Sequence, residues 1–375
     1  MKNRLYFIDY IRVFAFLLLI LFHSALPFVK YNWEVKNEQK SDILLSIVLW
    51  FHQWRLPLLF FISGVGIYFS LKTRSILNFT LERFRRLFIP LVFAMLFTIP
   101  IQVYVEYLQK GRVTGSYFEF YPSVWSFVPY PEGSLTWSHM WFIVYLLTFI
   151  LLLIPLFSIL KIRIIETYKD QFSNVLSSKY LFFGVFLIQY YIYYQFYLKY
   201  PEQGSLVEDW FVFNSSIIYL ILGYLLASSN EFWDNCERFR KISLSIAIVT
   251  TSILFINYYL PNALPKKEGI NAQVYFLLDA LQIWSIILTI IGYVKKYLNN
   301  TSSILQYLNQ AVFPFFIIHQ TIIVAIGYWI VQMKVSILTK YLLLSFCSSV
   351  VIYGLYEYVI KRTKLTRFLY GMKNN

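Results

Sequence analysis

The sequence has little charge and almost no cysteine for its length. Only 14% of its 375 residues are Asp, Glu, Lys or Arg, and there are two cysteines, Cys236 and Cys347. A soluble domain exposes far more charge than this, so a soluble globular protein is excluded. The two cysteines lie far apart in the chain, which argues against a disulfide framework and against a cysteine-based metal site.

Histidine is scarce as well, with four residues in the whole chain. They lie on four different segments, and no pair has the i,i+4 spacing that binds a metal on one helix face. We therefore predict no metal site. The net charge of +14 does not indicate nucleic-acid binding, because the basic residues lie at the ends of apolar runs and form no stripe with base-reading side chains.

Apolar residues dominate the chain, at 58% of the total with 36 Phe and 32 Tyr. Several apolar runs of about 20 residues match the thickness of a bilayer. The sequence therefore predicts an all-α polytopic integral membrane protein with about ten transmembrane helices in one membrane-embedded domain over residues 1–375. The predicted crossings are residues 7–28, 54–71, 87–105, 138–160, 180–198, 210–228, 242–260, 272–294, 309–332 and 338–360.

The apolar stretch 43–71 is longer than one crossing needs. The segment "HQWRLP" contains a proline and several polar residues, so we expect it to break the helix there. Residues 43–51 would then lie in the membrane interface or form a short helix of their own. The first span has a basic start like a signal peptide but no small-residue cleavage site, so we expect it to be retained.

The distribution of basic residues predicts the orientation in the membrane. Cytoplasmic loops carry an excess of Lys and Arg, and an even number of crossings places both termini on the same side. We therefore expect a cell (inner) membrane protein with both termini in the cytoplasm. The basic residues assigned to the cytoplasmic side are Lys2, Arg4, Lys72, Arg74, Arg83, Arg85, Arg86, Lys161, Arg163, Lys169, Lys179, Arg238, Arg240, Lys241, Lys295, Lys296, Lys361, Arg362, Lys364, Arg367 and Lys373.

The first span carries three ionisable residues, Asp9, Arg12 and His23. Such residues cost several kcal/mol in hydrocarbon, so they are rare there and mark functional sites by default. Arg12 and His23 are separated by almost three helical turns and share one face, about 16 Å apart along the axis. Asp9 lies one turn from Arg12 and can pair with it. The structural alternative is an ion pair together with one hydrogen-bonded core histidine.

Arg-x10-His in a first span, preceded by Asp, resembles the acyltransferase 3 family of integral membrane O-acyltransferases. Further blocks of this chain resemble that family over essentially its whole length, and the C-terminal ones resemble the branch with the periplasmic glucan succinyltransferase. These blocks are "HQWRLPLLFFISGVGIYFSLKTRS", "ERFRRLFIPLVF", "HMWFIVYLL", "FPFFIIHQTIIVAIGYW" and the tail "RFLYGMK".

The resemblance implies transfer of an acyl group, acetyl or succinyl, from a cytoplasmic acyl-CoA to a hydroxyl of an extracytoplasmic or lipid-linked glycan. Acyl-CoA would be a co-substrate, and no permanently bound cofactor is expected. A base with a pKa near neutrality accelerates attack by a sugar hydroxyl, and His23 suits that role. Arg12 would position the donor or balance its charge, and Asp9 would hold Arg12. A neighbouring imidazole or amide could stabilise the oxyanion.

The other candidate residues surround this proposed centre. Forked guanidinium groups bind phosphates well, so Arg83 and Arg86, with Arg85 beside them, are candidate donor-binding residues; contact with lipid headgroups explains them equally well. Candidate substrate-binding residues are His52, Arg55, Ser63, His139, Trp141, His319 and Gln320. For His139 the alternative is an interfacial histidine at a helix start, and for His319 and Gln320 it is a hydrogen-bonded structural pair. Asp279 and Gln282 are expected to form a contact between helices, and Glu357 to neutralise a nearby base.

Two other functions compete with this prediction. The chain could be a multispan transporter of an anionic metabolite, with Arg12 and Arg55 in the substrate site and the histidines carrying protons. It could also be a non-catalytic membrane partner of a polysaccharide assembly complex, which would not require the polar residues of the first span. The sequence identifies neither the acyl group, nor the acceptor, nor the oligomeric state.

Overall fold

The computed structural model describes residues 5–178, 181–200, 202 and 204–372. Within that part of the chain the secondary structure is helical, with one isolated β-bridge between Pro129 and Leu135 and no strand. This confirms the all-α prediction. Four of the basic residues used in the orientation argument, Lys2, Arg4, Lys179 and Lys373, lie outside the described residues.

The α-helices follow one another along the chain, with the longest connections before α2, α6, α11 and α14. They are α1 (Tyr6–Ala25), α2 (Asp42–Thr73), α3 (Ile76–Phe93), α4 (Ile99–Gln109), α5 (Tyr117–Phe120), α6 (Trp141–Leu152), α7 (Ile154–Leu160), α8 (Arg163–Ser177), α9 (Leu181–Gly184), α10 (Phe186–Ile192), α11 (Trp210–Leu226), α12 (Asn230–Arg238), α13 (Arg240–Leu254), α14 (Ile270–Tyr297), α15 (Ser303–Ile330), α16 (Ile337–Leu355) and α17 (Lys364–Leu369). Four π-helical turns are Ala94–Thr98, Tyr193–Tyr197, Phe255–Tyr259 and Tyr356–Ile360, and three 3-10 turns are Leu26–Phe28, Tyr121–Ser126 and Ser138–Met140.

Seven helices of the described chain are long and apolar enough to cross a membrane, and the number rises to ten if three bent helix pairs each form one span. The three pairs are α6 with α7, α8 with the segment Leu181–Tyr197, and α11 with α12, bent by 51°, 92° and 105°. The predicted number of about ten crossings therefore agrees with the upper end of this range, and the chain is a membrane protein by the length and composition of its helices.

The predicted helix break at "HQWRLP" is wrong. Helix α2 runs without interruption from Asp42 to Thr73 and contains Pro57. A proline removes one backbone donor, but its neighbours Leu56, Leu58 and Leu59 are buried, and packing around a membrane helix can hold the turn in place. Tertiary packing has here overridden a local helix breaker.

The chain divides into two compact units. The first unit comprises the described chain up to Ala15, Leu49–Leu81 and Thr148–Leu305. In it, α2 and α11 cross where Gly64 lies against the Leu220 carbonyl oxygen and Gly223 lies against the Phe61 carbonyl oxygen. A Cβ at either glycine would overlap that oxygen, so the two backbones can approach this closely only without a side chain.

The first unit also holds buried polar contacts that join α14 to α13 and to the π-helical turns Tyr193–Tyr197 and Phe255–Tyr259. Asp279 accepts hydrogen bonds from the Tyr193 hydroxyl and from Tyr259 Oη, the latter at 2.9 Å. Gln282 Nε2 donates to Thr251 Oγ1 at 2.8 Å. The contact between helices predicted for Asp279 and Gln282 is confirmed.

The second unit comprises Phe16–Val48, Glu82–Leu147 and the chain from Gln306 to the last described residue. Its loop after α1, residues 29–41, is held by long-range hydrogen bonds. Lys340 Nζ donates to Asn37 Oδ1 at 2.7 Å and to the Val331 carbonyl at 2.8 Å, and the backbone amide of Lys36 donates to Gln109 Oε1 at 2.7 Å. The loop that carries Trp33 and Glu34 is therefore anchored on both α4 and α16.

Two charged side chains on the last span behave as expected. Glu357 pairs with Lys361 at 3.0 Å one turn further along the helix, and it also accepts a hydrogen bond from Tyr307 Oη at 2.8 Å. The prediction that Glu357 neutralises a nearby base is confirmed.

Cys236 and Cys347 are free thiols.

Candidate functional site

Three of the four histidines come together in the second unit. His23 is on the last turns of α1, His139 is in the 3-10 turn before α6, and His319 is in the middle of α15. His319 Nε2 lies 2.9 Å from His23 Nδ1, and the rings of His139 and His319 meet edge to face with centroids 5.3 Å apart. His139 and His319 are almost fully buried. The structure thus brings three predicted site residues into one cluster.

The hydrogen-bond partners of this cluster determine which nitrogen of each imidazole carries the proton. His319 Nδ1 lies 2.6 Å from the Phe316 carbonyl oxygen, which can only accept, so Nδ1 of His319 is protonated. In the neutral ring Nε2 of His319 then holds the lone pair and accepts a hydrogen bond from His23 Nδ1–H. The lone pair of His23 therefore lies on Nε2. We assign these tautomers from the partners of each nitrogen.

His139 is fixed in a different way. Its Nε2 donates to the Ile317 carbonyl at 3.0 Å, and its Nδ1 accepts from Gln102 Nε2 at 3.2 Å. The same amide nitrogen of Gln102 donates to Thr321 Oγ1 at 2.6 Å, and Thr321 donates to the Thr98 carbonyl at 3.2 Å. Both nitrogens of His139 are thus held by protein partners, and the ring positions its neighbours.

The backbone beside His139 adopts an uncommon conformation. Ser138 has a φ of 40°, in the left-handed region that is costly for a residue with a side chain, by about 1–3 kcal/mol. Its hydroxyl donates to Gln102 Oε1 at 3.0 Å, and its amide donates to Thr136 Oγ1 at 3.0 Å. These two hydrogen bonds hold the strained residue, and strain of this kind concentrates at functional sites.

Glu34 joins the cluster from the loop after α1 and was not identified from the sequence. Gln320 Nε2 donates to Glu34 Oε1 at 2.7 Å, and Ser138 Oγ lies 3.5 Å from the same oxygen. The other oxygen, Oε2, is buried and has no hydrogen-bond partner among the described residues. Burial raises the pKa of Glu34 to about 7, against hydrogen bonds that lower it, and the nearby Glu106 carboxylate raises it further.

Trp33, the residue before Glu34, covers His23. The two rings are stacked, with centroids 5.3 Å apart and planes 17° from parallel. The indole Nε1 of Trp33 is buried and has no hydrogen-bond partner among the described residues. Trp33 was also missed, because a tryptophan and a glutamate in a short polar loop carry no spacing that relates them to a distant histidine.

A second carboxylate, Glu106, lies nearby and has partners of its own. Glu106 on α4 accepts a hydrogen bond from Tyr130 Oη at 2.9 Å and pairs with Lys110 one turn further along. Burial raises the pKa of Tyr130, and the hydrogen bond from Tyr130 to Glu106 raises it further. The nearby charges of Glu106 and Glu34 act in the same direction. Glu106 therefore acts as a structural anchor between α4 and the 106–137 loop.

The remaining predicted residues of α1 and α2 lie in the first unit. Arg12 Nη1 is 3.4 Å from Asp9 Oδ1, so the predicted ion pair is confirmed. His52 Nε2 lies 2.7 Å from Glu202 Oε2, and Arg55 is buried at 4% exposure. The Ser63 hydroxyl donates to the Leu59 carbonyl in its own helix at 2.8 Å.

The candidate donor-binding arginines lie on α3, in the part of this helix that belongs to the second unit. Arg86 pairs with Glu82 at 3.6 Å and donates from Nε to the Gly371 carbonyl at 3.3 Å, while Arg83 is partly exposed. Trp141 packs edge to face on Tyr145, with centroids 5.3 Å apart. The roles proposed for these three residues stay predictions.

Among the described residues, no group of three or more His, Cys, Asp or Glu is arranged to hold a metal ion.

Comparison with known proteins gives a match over nearly the whole chain. The family model described as an acyltransferase domain matches residues 5–354. Curated proteins named "Glucans biosynthesis protein C" from Escherichia coli strains SMS-3-5 / SECEC, K12 and O1:K1 / APEC are each 28% identical over 190 residues, which is 49% of this chain. The match spans about half of these relatives, 47% of the length of each. No solved structure matches the chain at a significant level.

Proposed function

The chain belongs to the acyltransferase family whose model spans residues 5–354, and from this membership we propose that it is a membrane O-acyltransferase. Its donor would be a cytoplasmic acyl-CoA carrying an acetyl or succinyl group. Its acceptor would be a hydroxyl of an extracytoplasmic or lipid-linked glycan. The name of its relatives refers to glucans, which favours a glucan as that acceptor.

The observation that carries the proposal is the hydrogen bond between His23 and His319. It supports a neutral His23 whose Nε2 holds the lone pair, which is the form a general base requires. In the proposed step, His23 Nε2 takes the proton of the acceptor hydroxyl as the hydroxyl oxygen attacks the thioester carbonyl. The new C–O bond forms, the C–S bond breaks, and the proton passes from His23 to the thiolate of CoA.

The His319 ring also supports the charged intermediate. When His23 becomes an imidazolium, its Nδ1 still donates to His319 Nε2, so the hydrogen bond is kept and strengthened by the charge. His139 and Gln320 donate their N–H groups to other acceptors. Neither is therefore assigned as the oxyanion donor in this arrangement.

For the donor we propose Arg12, held by Asp9, with Arg83 and Arg86 as further phosphate-binding candidates. A guanidinium binds phosphate oxygens through two parallel hydrogen bonds, and the ion pair with Asp9 orients it. The positive-inside distribution of basic residues supports an inner-membrane location with both termini in the cytoplasm. Under these assignments acyl-CoA would bind on the cytoplasmic side.

The alternative function is a transporter of an anionic metabolite. The three bent helix pairs favour it to some extent, because transporters build their sites from broken helices. A transporter moves its substrate without breaking a covalent bond, so the histidines would then carry protons and no thioester would be cleaved. The two functions therefore differ in whether CoA is released.

The test is thioester cleavage by the purified protein in detergent, with acetyl-CoA and succinyl-CoA supplied separately. We expect release of free CoA that increases when an envelope glycan extract is added. Mass spectrometry of envelope glycans from cells with and without the gene should show the mass of the transferred group. Gene-dependent uptake of an anion into proteoliposomes, without CoA release from either thioester, would instead establish the transporter.

A further inference from the structure

Two adjacent side chains next to His23 carry buried polar atoms with no partner in the described protein. They are an acceptor, Glu34 Oε2, and a donor, Trp33 Nε1. A buried polar atom without a hydrogen bond is costly, and the cost is greater when the group is charged. Such a pair beside a proposed catalytic base therefore requires an explanation that the fold alone does not give.

The other atoms of these residues are well determined. Glu34 Oε1 accepts from Gln320 Nε2 at 2.7 Å, and the Trp33 ring is stacked on His23 at 5.3 Å. Gln320 in turn follows His319, which holds His23. Trp33 is thus held against the base itself and Glu34 against the residue that follows His319, and within these two side chains Oε2 and Nε1 have no partner among the described residues.

A hydroxyl group is the ligand that complements this pair, because it donates one hydrogen bond and accepts others. Resting on the proposed function, we propose that Glu34 and Trp33 bind the acceptor glycan, with Glu34 Oε2 accepting from a sugar hydroxyl and Trp33 Nε1 donating to a sugar oxygen. The hydroxyl bound here would neighbour the one that His23 deprotonates. Acceptor binding and proton removal would then share one anchored loop.

The charged groups around Glu34 predict how this binding depends on pH. Glu106 on α4 faces it and is itself paired with Lys110, and Tyr130 lies close enough to be influenced by both carboxylates. The imidazoles of His139, His319 and His23 complete the surroundings. With the pKa of Glu34 raised to about 7, the group is largely protonated at pH 6 and largely ionised at pH 8.

The ionised carboxylate is the better acceptor of a sugar hydroxyl. Acceptor binding should therefore weaken as the pH falls from 8 to 6, and binding should release a proton from Glu34. The substitution Glu34→Gln removes this titration. It also replaces one accepting carboxylate oxygen of Glu34 with an amide nitrogen, which donates hydrogen bonds and cannot accept one.

The experiment measures acyl transfer from acyl-CoA to an envelope glycan extract prepared from cells that lack the gene, with concentrations in sugar equivalents. For Glu34→Gln we expect the KM for the extract to rise about 10-fold or more, as for loss of a hydrogen bond to a charged group. The KM for acyl-CoA should stay within about 2-fold, an effect below 0.5 kcal/mol, and transfer to the extract should fall more than CoA release to water without extract. Trp33→Phe keeps the ring on His23 but lacks the N–H, so its acceptor KM should rise about 3- to 10-fold.

The matched control is Glu38→Gln, an exposed carboxylate in the same loop, which should leave every parameter unchanged. Across pH 6 to 8 the wild-type acceptor KM should fall as the pH rises, while that of Glu34→Gln stays flat. If Glu34→Gln does not fold, the acceptor KM is measured for Glu34→Asp and Trp33→Phe instead.

The outcomes separate this inference from the proposed function. Absence of acyl transfer to the extract by the wild type would overturn both. Wild-type transfer with an unchanged acceptor KM in Glu34→Gln and Trp33→Phe would overturn the inference alone. Equal losses in acceptor turnover and in CoA release to water would show that the two residues only support the structure.

Discussion

At the residue scale the proposed chemistry depends on a single imidazole, His23, whose tautomer is determined by a second one. The Phe316 carbonyl fixes His319, and His319 fixes His23, so the proton-accepting nitrogen is set by two successive hydrogen bonds. Neither bond involves a buried carboxylate.

The first prediction concerns these two imidazoles. His23→Gln keeps hydrogen bonding and much of the volume but cannot take up a proton, so acyl transfer should fall about 10²- to 10⁴-fold. His319→Phe removes the acceptor for His23 Nδ1–H and should lower kcat about 10-fold, with His319→Gln partly restoring it because the amide oxygen can accept.

Steady-state kinetics of detergent-purified protein measures these effects, and monodispersity on gel filtration is the control for folding. If His23 had a purely structural role, His23→Gln would keep most of the acyl-transfer activity. Turnover close to wild type in a monodisperse His23→Gln sample would rule out the general base.

The second prediction is a stability effect of Glu34. Its folded-state pKa of about 7 lies above the usual 4.5, so the folded state binds more protons than the unfolded state between these pH values. Stability should therefore decrease as the pH rises from 5 to 7, by about 3 kcal/mol at most, since one pKa unit corresponds to about 1.4 kcal/mol. Glu34→Gln should show a flatter profile of thermal unfolding against pH, whereas Glu38→Gln should follow the wild type. An equally steep profile in Glu34→Gln would assign the titration to another group.

At the scale of secondary-structure elements, the crossing of α2 and α11 depends on reciprocal glycine contacts. Gly64 on α2 meets the backbone of Leu220, and Gly223 on α11 meets the backbone of Phe61. Small residues at such a crossing let dispersion contacts and weak backbone interactions replace the hydrophobic effect, which does not drive association of helices within lipid. The same helix, α2, continues through Pro57, so its rigidity comes from packing on both sides of the proline.

The third prediction tests that crossing. Gly64→Ala would place a methyl group against the Leu220 carbonyl oxygen, and the helices would have to separate. We expect a loss of stability of about 1–3 kcal/mol, the usual cost of overpacking. The matched control is Gly354→Ala, a helical glycine with open space at its Cβ position, which should be neutral or slightly stabilising. Thermal unfolding in detergent measures both, and equal melting temperatures for the two variants would contradict the prediction.

At the scale of the whole molecule, the number of membrane crossings determines where the termini lie. Seven spans would place the N- and C-termini on opposite sides, and ten spans would place them on the same side. The bent pairs α6 with α7 and α11 with α12 decide between these numbers, together with α8 and the segment Leu181–Tyr197. The basic tail, with Lys361, Arg362, Lys364 and Arg367, favours a cytoplasmic C-terminus.

The fourth prediction is therefore topological. Reporters fused before Met1 and after Asn375 should both be cytoplasmic, which requires an even number of crossings. Alkaline phosphatase and a fluorescent protein, which are active on opposite sides of the inner membrane, measure the two positions. Phosphatase activity at the C-terminus, with a fluorescent N-terminus, would establish an odd number of spans and would show that at least one bent pair does not cross.

The sequence by itself determined what depends on neighbours along one helix. Apolar run lengths predicted the all-α membrane architecture, and i,i+3 and i,i+4 spacings predicted the pairs Asp9–Arg12 and Glu357–Lys361. These contacts follow from helical geometry, because residues one turn apart share a face wherever the helix lies. The helix through Pro57 is the exception, since burial of its neighbours outweighed a local breaker.

Only the tertiary structure decided how the candidate site is assembled. His23 and His319 are 296 residues apart in the chain, and Glu34 and Gln320 are 286 apart. No spacing in the sequence specifies which of many helix faces will meet, and Glu34 looks no different there from the exposed Glu38 in the same loop. Packing of α1, α4 and α15 with their loops buries one of these carboxylates beside the histidines and leaves the other exposed, and burial is what changes its chemistry.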